Sequence, residues 1–243
     1  MLLYYVRHGD PIYTPDSLTP LGERQAEAIG RRLAQNGVDR VFTSTSTRAK
    51  QTAKPLCEMK KLTPVELDFA NEGHAWREMT VKLSDGRPCW MYQHKKTCHL
   101  MVSPEVFALG QRWFDHPAFA GRGYDGGIAR INEGTDALLA SLGYEHDREK
   151  RMYRAVRPSA EKVALFAHEG FGSLFLPSLL DIPYPQFAPY YTMMHTGLTV
   201  IDFPDEEGFV IPHIRTLSND GHLYEDRLPY LYSLDEQYFN YHE

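Results

Sequence analysis

No run in this 243-residue sequence is apolar for the roughly 18 residues a helix needs to cross a bilayer, which excludes a helical membrane span. Cysteine is scarce. Cys57, Cys89 and Cys98 are odd in number and show no C-x-x-C spacing, which argues against a disulfide framework and for free thiols in a reducing compartment. Basic residues are not in excess. The net charge of -6 leaves no broad positive face for nucleic acid, although a few clustered arginines would vanish in such a total. The opening MLLYYVRHGD is too short and turns polar too early for a signal peptide, so a cytoplasmic protein is expected, with neither membrane nor nucleic acid as partner. Repeats and low-complexity tracts are absent, and no feature dictates an oligomeric state. What is present is an ordinary globular balance, 42% apolar and 24% charged, sufficient for the core of one large domain.

The periodicity alternates strand and helix. Leu2 to Val6 is almost continuously apolar, as a strand buried on both faces requires. LTPLGERQAEAIGRRLAQNG reads as a helix with Thr19 as N-cap, Pro20 at its first position and Asn36-Gly37 as its stop. VDRVFTS is a second strand, STRAKQTAKPLCEMKK a second helix with Pro55 as a kink, and TPVELDFA a third strand. From residue 71 to about 142 the pattern becomes helical, in SPEVFALGQRWFDHP and GGIARINEGTDALLASLG, with no clear strand. No linker frames this stretch, so it reads as a helical insertion or lid on the same domain. A charged hairpin with Arg148, Glu149 and Lys150 near its turn follows. Then EKVALFAHEGFGSLFLPSLLDIP resumes the strand–turn–helix order. TGLTVIDF and GFVIPHIRTL, joined by PDEEG, are the expected antiparallel edge, and the tyrosine-rich tail is expected to wrap the surface. The fold class is α/β: a three-layer sandwich with a mostly parallel central sheet flanked by helices.

In such sheets ligands bind beyond the carboxyl ends of the strands. Here the strand ends deliver Arg7-His8-Gly9, then Arg48 in the first turn of the second helix, Glu72 after the third strand, and His168-Glu169-Gly170 after the fourth. Two arginines, two histidines and one or two carboxylates at one edge suit phosphoryl transfer. A neutral imidazole is a good nucleophile near pH ~7, and its second nitrogen, donating to the backbone just after His8, would fix the tautomer. Gly9 lets the chain approach closely. Guanidinium groups grip non-bridging phosphate oxygens, the helix start at Thr47-Arg48 adds N–H donors, and a second, protonated histidine completes the clamp. A carboxylic acid protonates the departing oxygen and then activates water. No metal or other cofactor is needed.

VRHGD, LTPLGERQAEAIGRRL, TSTSTRAKQTA and ALFAHEG occur in this order, and together they resemble the histidine phosphatase superfamily, with its phosphoglycerate mutase-like fold. The resemblance covers residues 2 to 56 and 161 to 203 and is weaker between them. It implies that His8 is the phosphorylated nucleophile and that Arg7, Arg48 and His168 form the phosphate pocket. The acid after the third strand would be Glu72, with Glu169 second and Glu78 close by. Gly9, Glu169 and His195 join the expected substrate-binding set, His195 as a pocket residue or as a buried structural histidine. The segment RHGDPIYTPDSLT departs from the R-H-G-Q/E-S-x-x-N of phosphoglycerate mutases. The implied activity is therefore metal-independent hydrolysis of a small phosphomonoester through a phosphohistidine. Mutase-type transfer and a non-catalytic phospho-ligand module are the alternatives. Cys89, His94, Cys98 and His99 lack regular zinc spacing. Arg77, Lys82, Arg87, Lys95 and Lys96 would form either a positive lid or a solvated face.

Overall fold

The computed structural model describes residues 1–229 and His242. The tail read as a surface wrap, residues 219–243, is described over 219–229, where Leu223 and Leu228 pack on Ala28, and at His242; its other residues lie outside the described ones. In chain order the first strand is β1 (Leu2–Arg7), followed by a small hairpin, β2 (Pro11–Tyr13) and β3 (Asp16–Leu18). Helix α1 (Pro20–Asn36), strand β4 (Arg40–Ser44), helix α2 (Thr47–Lys60) and strand β5 (Val65–Leu67) complete the first half. Thr19 caps α1 by accepting the Gly22 N–H, and Ser46 caps α2 by accepting the Ala49 N–H. Pro55 sits inside α2, which runs on past it as one element.

Residues 71–142 contain α3 (Glu72–Glu78), the hairpin β6 (Thr80–Lys82) and β7 (Pro88–Trp90), α4 (Lys95–Met101), α5 (Pro104–Ala108) and α6 (Tyr124–Ser141). The hairpin differs from the expected all-helical stretch. Its strands are three residues each, too short to establish an alternating pattern. The segment SPEVFALGQRWFDHP is likewise two elements, α5 and a 3-10 turn over Gly110–Asp115, broken at Gly110, whose φ of 56° no right-handed helix accommodates.

The remaining elements are β8 (Tyr144–Asp147), β9 (Met152–Ala155), β10 (Lys162–Ala167), α7 (Glu169–Leu180), β11 (Leu198–Asp202), β12 (Gly208–Val210), β13 (His213–Asn219) and α8 (Gly221–Glu225). The main sheet has the order β13-β11-β1-β10-β4-β5, with β1, β10, β4 and β5 parallel and β11 and β13 antiparallel. The expected edge is thus present, with one change. Gly208–Val210 leaves it to pair with β9 in a separate three-stranded sheet, while His213–Asn219 pairs with β11. Among the described residues no helix is long and apolar enough to cross a membrane.

Alternation along the strands builds two cores. Tyr4, Val6, Ala164 and Phe166 pack with Ile29, Leu33, Ala53 and Leu56 of α1 and α2. Leu3, Tyr5 and Leu165 face the other way, onto Phe171 and Phe175 of α7 and Ile131 and Leu139 of α6. The register then sets the site. Arg7 pairs with Ala167, and Phe166 with Thr43, so His8, His168 and Ser44 emerge side by side at the carboxyl edge.

The loop leaving β1 lies against α1 with no room for side chains. A Cβ on Gly9 would come 2.6 Å from the Gly22 carbonyl oxygen, and one on Gly22 2.2 Å from that of Asp10. Both contacts are with backbone, which yields only by shifting the loop from the helix. Gly9→Ala is therefore expected to cost about 1–3 kcal/mol. For a chain of this size that lowers the melting temperature by roughly 2–4 °C per kcal/mol, measurable by thermal denaturation. An unchanged midpoint would contradict the close approach.

Candidate active site

His8 and His168 face one another with ring centroids 5.2 Å apart. His8 Nδ1 lies 2.7 Å from the Gly9 carbonyl oxygen, which requires a proton on Nδ1 and leaves Nε2 with its lone pair. The loop is held from several sides. His8 N–H donates to Ala167 O, Gly9 N–H to Thr52 Oγ1, and Thr52 Oγ1 in turn to Arg48 O one turn back on α2. The Thr196 N–H is shared between the carbonyl oxygens of Arg7 and His8.

Arg7 is buried, Arg48 is largely buried, and both are paired. Arg7 Nη1 donates to Met193 O at 2.6 Å and lies 2.9 Å from Glu169 Oε2. Arg48 donates from Nη1 to Asp16 Oδ1 and from Nη2 to Glu72 Oε2, each at 2.8 Å. The second oxygen of Asp16 accepts the Thr47 N–H at the start of α2. The helix terminus expected to point at an anion is thus occupied by this protein's own carboxylate, as is one edge of Arg48.

Glu72, the first residue of α3, accepts the Gly170 N–H on Oε1 at 2.9 Å and places Oε2 3.7 Å from His168 Nδ1. That ring nitrogen is buried and has no hydrogen-bond partner among the described residues, while Nε2 lies 2.8 Å from Ser44 Oγ and 3.3 Å from Ser46 Oγ. Glu169 also reaches the site, through Arg7. Glu78 does not: it forms a two-pronged pair with Arg130 of α6. His195 is both buried and part of the cavity wall, its ring centroid 5.7 Å from that of His8 and its Nδ1 3.5 Å from Asp10 Oδ1.

Above this cluster opens a cavity of about 1030 Å³. Arg7, Arg48, Glu72, Glu169 and His195 line it; His8, Gly9 and His168 lie just beneath, His8 1% and His168 0% exposed. The basic residues proposed for a lid are not in the lining. Arg87 pairs with Asp85, and Arg77 with His74. The wall toward solvent is aromatic instead, with Tyr13, Trp76 and Trp90. Asp16 and Tyr13 escape sequence reasoning because their hairpin strands are three residues long. The Trp76–Trp90 contact depends on the equally short β6–β7 pairing.

Burial pushes the His8 imidazole well below its usual pKa, aided by His168, Arg7 and Arg48 and opposed by Glu72. Burial, then Arg48 and Arg7, do the same to His168, and burial, Arg7 and His8 to His195. In the free protein these shifts favour the neutral form of His168, whereas the protonated partner expected from the sequence concerns the phosphate-bound clamp. The ligand-type atoms of His8, Glu72 and His168 lie within 4.8 Å of one another, close enough to share a metal ion. Two flanking guanidinium groups, and a Glu72 carboxylate already engaged by Arg48 and Gly170, suit an anion better than a cation. Among the described residues Cys89, His94, Cys98 and His99 join no such cluster.

Residues 3–100 match the histidine phosphatase superfamily, branch 1. Over 220 residues the chain is 31% identical to a Yersinia enterocolitica protein named probable phosphoglycerate mutase GpmB, covering 84% of this chain and 85% of that one. This chain belongs to the histidine phosphatase superfamily. Solved structures share its fold at lower identity. The mycobacterial glucosyl-3-phosphoglycerate phosphatase aligns with a TM-score of 0.57 at 18% identity, over 89% of this chain and 98% of that one. The alpha-ribazole phosphatase from Shigella flexneri aligns with a TM-score of 0.58 at 17% identity, over 90% and 97%.

Neutral buried imidazoles are expected to make the protein less stable in acid. Behind Thr196 the imidazole of His222 is likewise held down to about 3, by burial and then Arg32. A folded-state pKa below the unfolded one means that the unfolded chain binds more protons in between, so stability falls as pH drops below about 6.5. His146 runs the other way: burial opposes its protonation, but hydrogen bonds to Asp136 and Asp181 raise its pKa. The urea midpoint is expected to fall between about pH 7.5 and about pH 5, with on the order of 2 kcal/mol from His222 alone. A flat profile across that window would contradict the neutral cluster.

Proposed function

We propose that this chain is a metal-independent phosphomonoesterase working through a phosphohistidine on His8. The observation that carries the reading is the His8 Nδ1 to Gly9 O contact at 2.7 Å, which leaves Nε2 as the attacking nitrogen beside His168 and two guanidinium groups. Nε2 attacks phosphorus and the ester P–O bond breaks. The substrate, bound as a monoanion, passes its proton to the Glu72 carboxylate as the phosphate displaces that group from Arg48. Glu72 hands the proton on to the leaving oxygen. A water then attacks phosphorus and gives a proton to the Glu72 carboxylate, and the N–P bond breaks to release inorganic phosphate. Arg7, Arg48 and His168 hold the non-bridging oxygens throughout, and residues 71–142 act as a lid on one domain. Several relatives bear the names of enzymes acting on small phosphorylated metabolites, which supports a substrate of that class.

A second reading rests on the relative named a phosphoglycerate mutase, at 31% identity. Production of 2-phosphoglycerate from 3-phosphoglycerate in a coupled assay would favour it. The hydrolase reading predicts none, because RHGDPIYTPDSLT departs from the R-H-G-Q/E-S-x-x-N of phosphoglycerate mutases. A pure binding module has no need of a nucleophile with an oriented ring.

His8→Ala is expected to lower p-nitrophenyl phosphate hydrolysis by roughly four orders of magnitude while circular dichroism stays native. Retained turnover would remove the mechanism. Glu72→Gln should slow alkyl phosphates about a hundredfold more than p-nitrophenyl phosphate, whose leaving group needs little protonation. Equal losses would transfer the acid role to Glu169.

A further inference from the structure

The charge around the cavity is unbalanced. Among the described residues lining it, Arg7 and Arg48 are the cations, set against Asp10, Asp16, Glu72 and Glu169. Both guanidinium groups stand at the phosphate end, and burial keeps His195 neutral. Residues 230–243 contain no lysine or arginine that would alter the count. A substrate with a carboxylate or second phosphate beyond the transferred group would therefore face acidic side chains with no cation to meet it.

The same wall offers flat apolar surface. Trp76 lies four residues after Glu72 on α3, which puts the candidate acid and an indole on one helix face. Its ring meets Trp90 edge to face, with centroids 4.9 Å apart and planes at 82°. Trp90 is braced from behind by stacking on the buried Tyr92. It also lies against the start of α7 where a Cβ on Gly170 would come 2.3 Å from its ring. Position 170 thus admits the indole directly beside the phosphate cup. Trp76 nevertheless remains 36% exposed and Tyr13, on the facing hairpin, 64% exposed. Aromatic side chains pair well with planar partners, and this space is far larger than one phosphate group requires.

We infer that the leaving group of the substrate is a flat aromatic moiety, uncharged or cationic, packed against Trp76 and Trp90. The inference rests on the phosphomonoesterase reading and adds to it a substrate class. The test compares kcat/KM for 2-phenylethyl phosphate, n-butyl phosphate and 3-phosphoglycerate; the first two release alcohols of similar acidity, so leaving-group chemistry does not decide the order. The phenylethyl ester is expected to exceed the butyl ester by about tenfold, with 3-phosphoglycerate below both. In Trp76→Ala the phenylethyl-to-butyl ratio should fall to within about twofold. Binding is read separately by tryptophan fluorescence with 2-phenylethylphosphonate, which cannot be hydrolysed, against 3-phosphoglycerate. If no ester is cleaved but the phosphonate binds about tenfold tighter, and loses that margin in Trp76→Ala, the hydrolase reading fails and the aromatic pocket stands. An equal or tighter hold on 3-phosphoglycerate, or a preference unchanged in Trp76→Ala, would overturn the inference.

Discussion

Two guanidinium groups are buried beside two imidazoles, and the site depends on how that positive charge is balanced. The Arg7 and Arg48 side chains are only 6% and 12% exposed, where an unpaired charge would cost several kcal/mol. Glu169 compensates the first, Glu72 and Asp16 the second. The imidazoles carry no compensating charge, because the same guanidinium groups and the same burial hold them neutral. The free protein thus balances its sequestered guanidinium charge from within.

The fold makes this arrangement specific by register. Parallel pairing of β1 with β10 and of β10 with β4 sets His8, His168 and Ser44 at one level. The rest of the scaffold fixes directions. Tyr5 donates its hydroxyl hydrogen to the His168 carbonyl from inside the core, and Thr196 ties the end of β1 to the chain entering β11. Gly9 and Gly22 allow the loop after β1 to lie on α1. Packing, pairing and charge therefore converge on the orientation of one ring, that of His8.

Much of this was readable in the sequence, because strand–helix alternation and strand-end residues are local signals. The apolar run before Arg7, Thr19 and Pro20 at the start of α1, and HEG after a buried strand all led to elements found where they were expected. Signals that depend on distant partners were not readable. Val210 and its neighbours look like part of an edge strand, yet pair with β9, since strand pairing is decided by which backbone lies opposite. Asp16 on Arg48 depends on a hairpin of two three-residue strands. The protonation of His168 was not readable for a related reason: histidine identity says nothing of the burial and the guanidinium groups that lower its pKa in the free protein.

The orientation of His8 has a chemical consequence that can be read from the protein directly. With Nδ1 committed to Gly9 O, only Nε2 can accept phosphorus. Rapid mixing with substrate, an alkaline denaturing quench and phosphorus NMR of the trapped protein would report which nitrogen carries the label. The account predicts phosphate on His8 Nε2; phosphate on Nδ1, or on a residue other than His8, would contradict it.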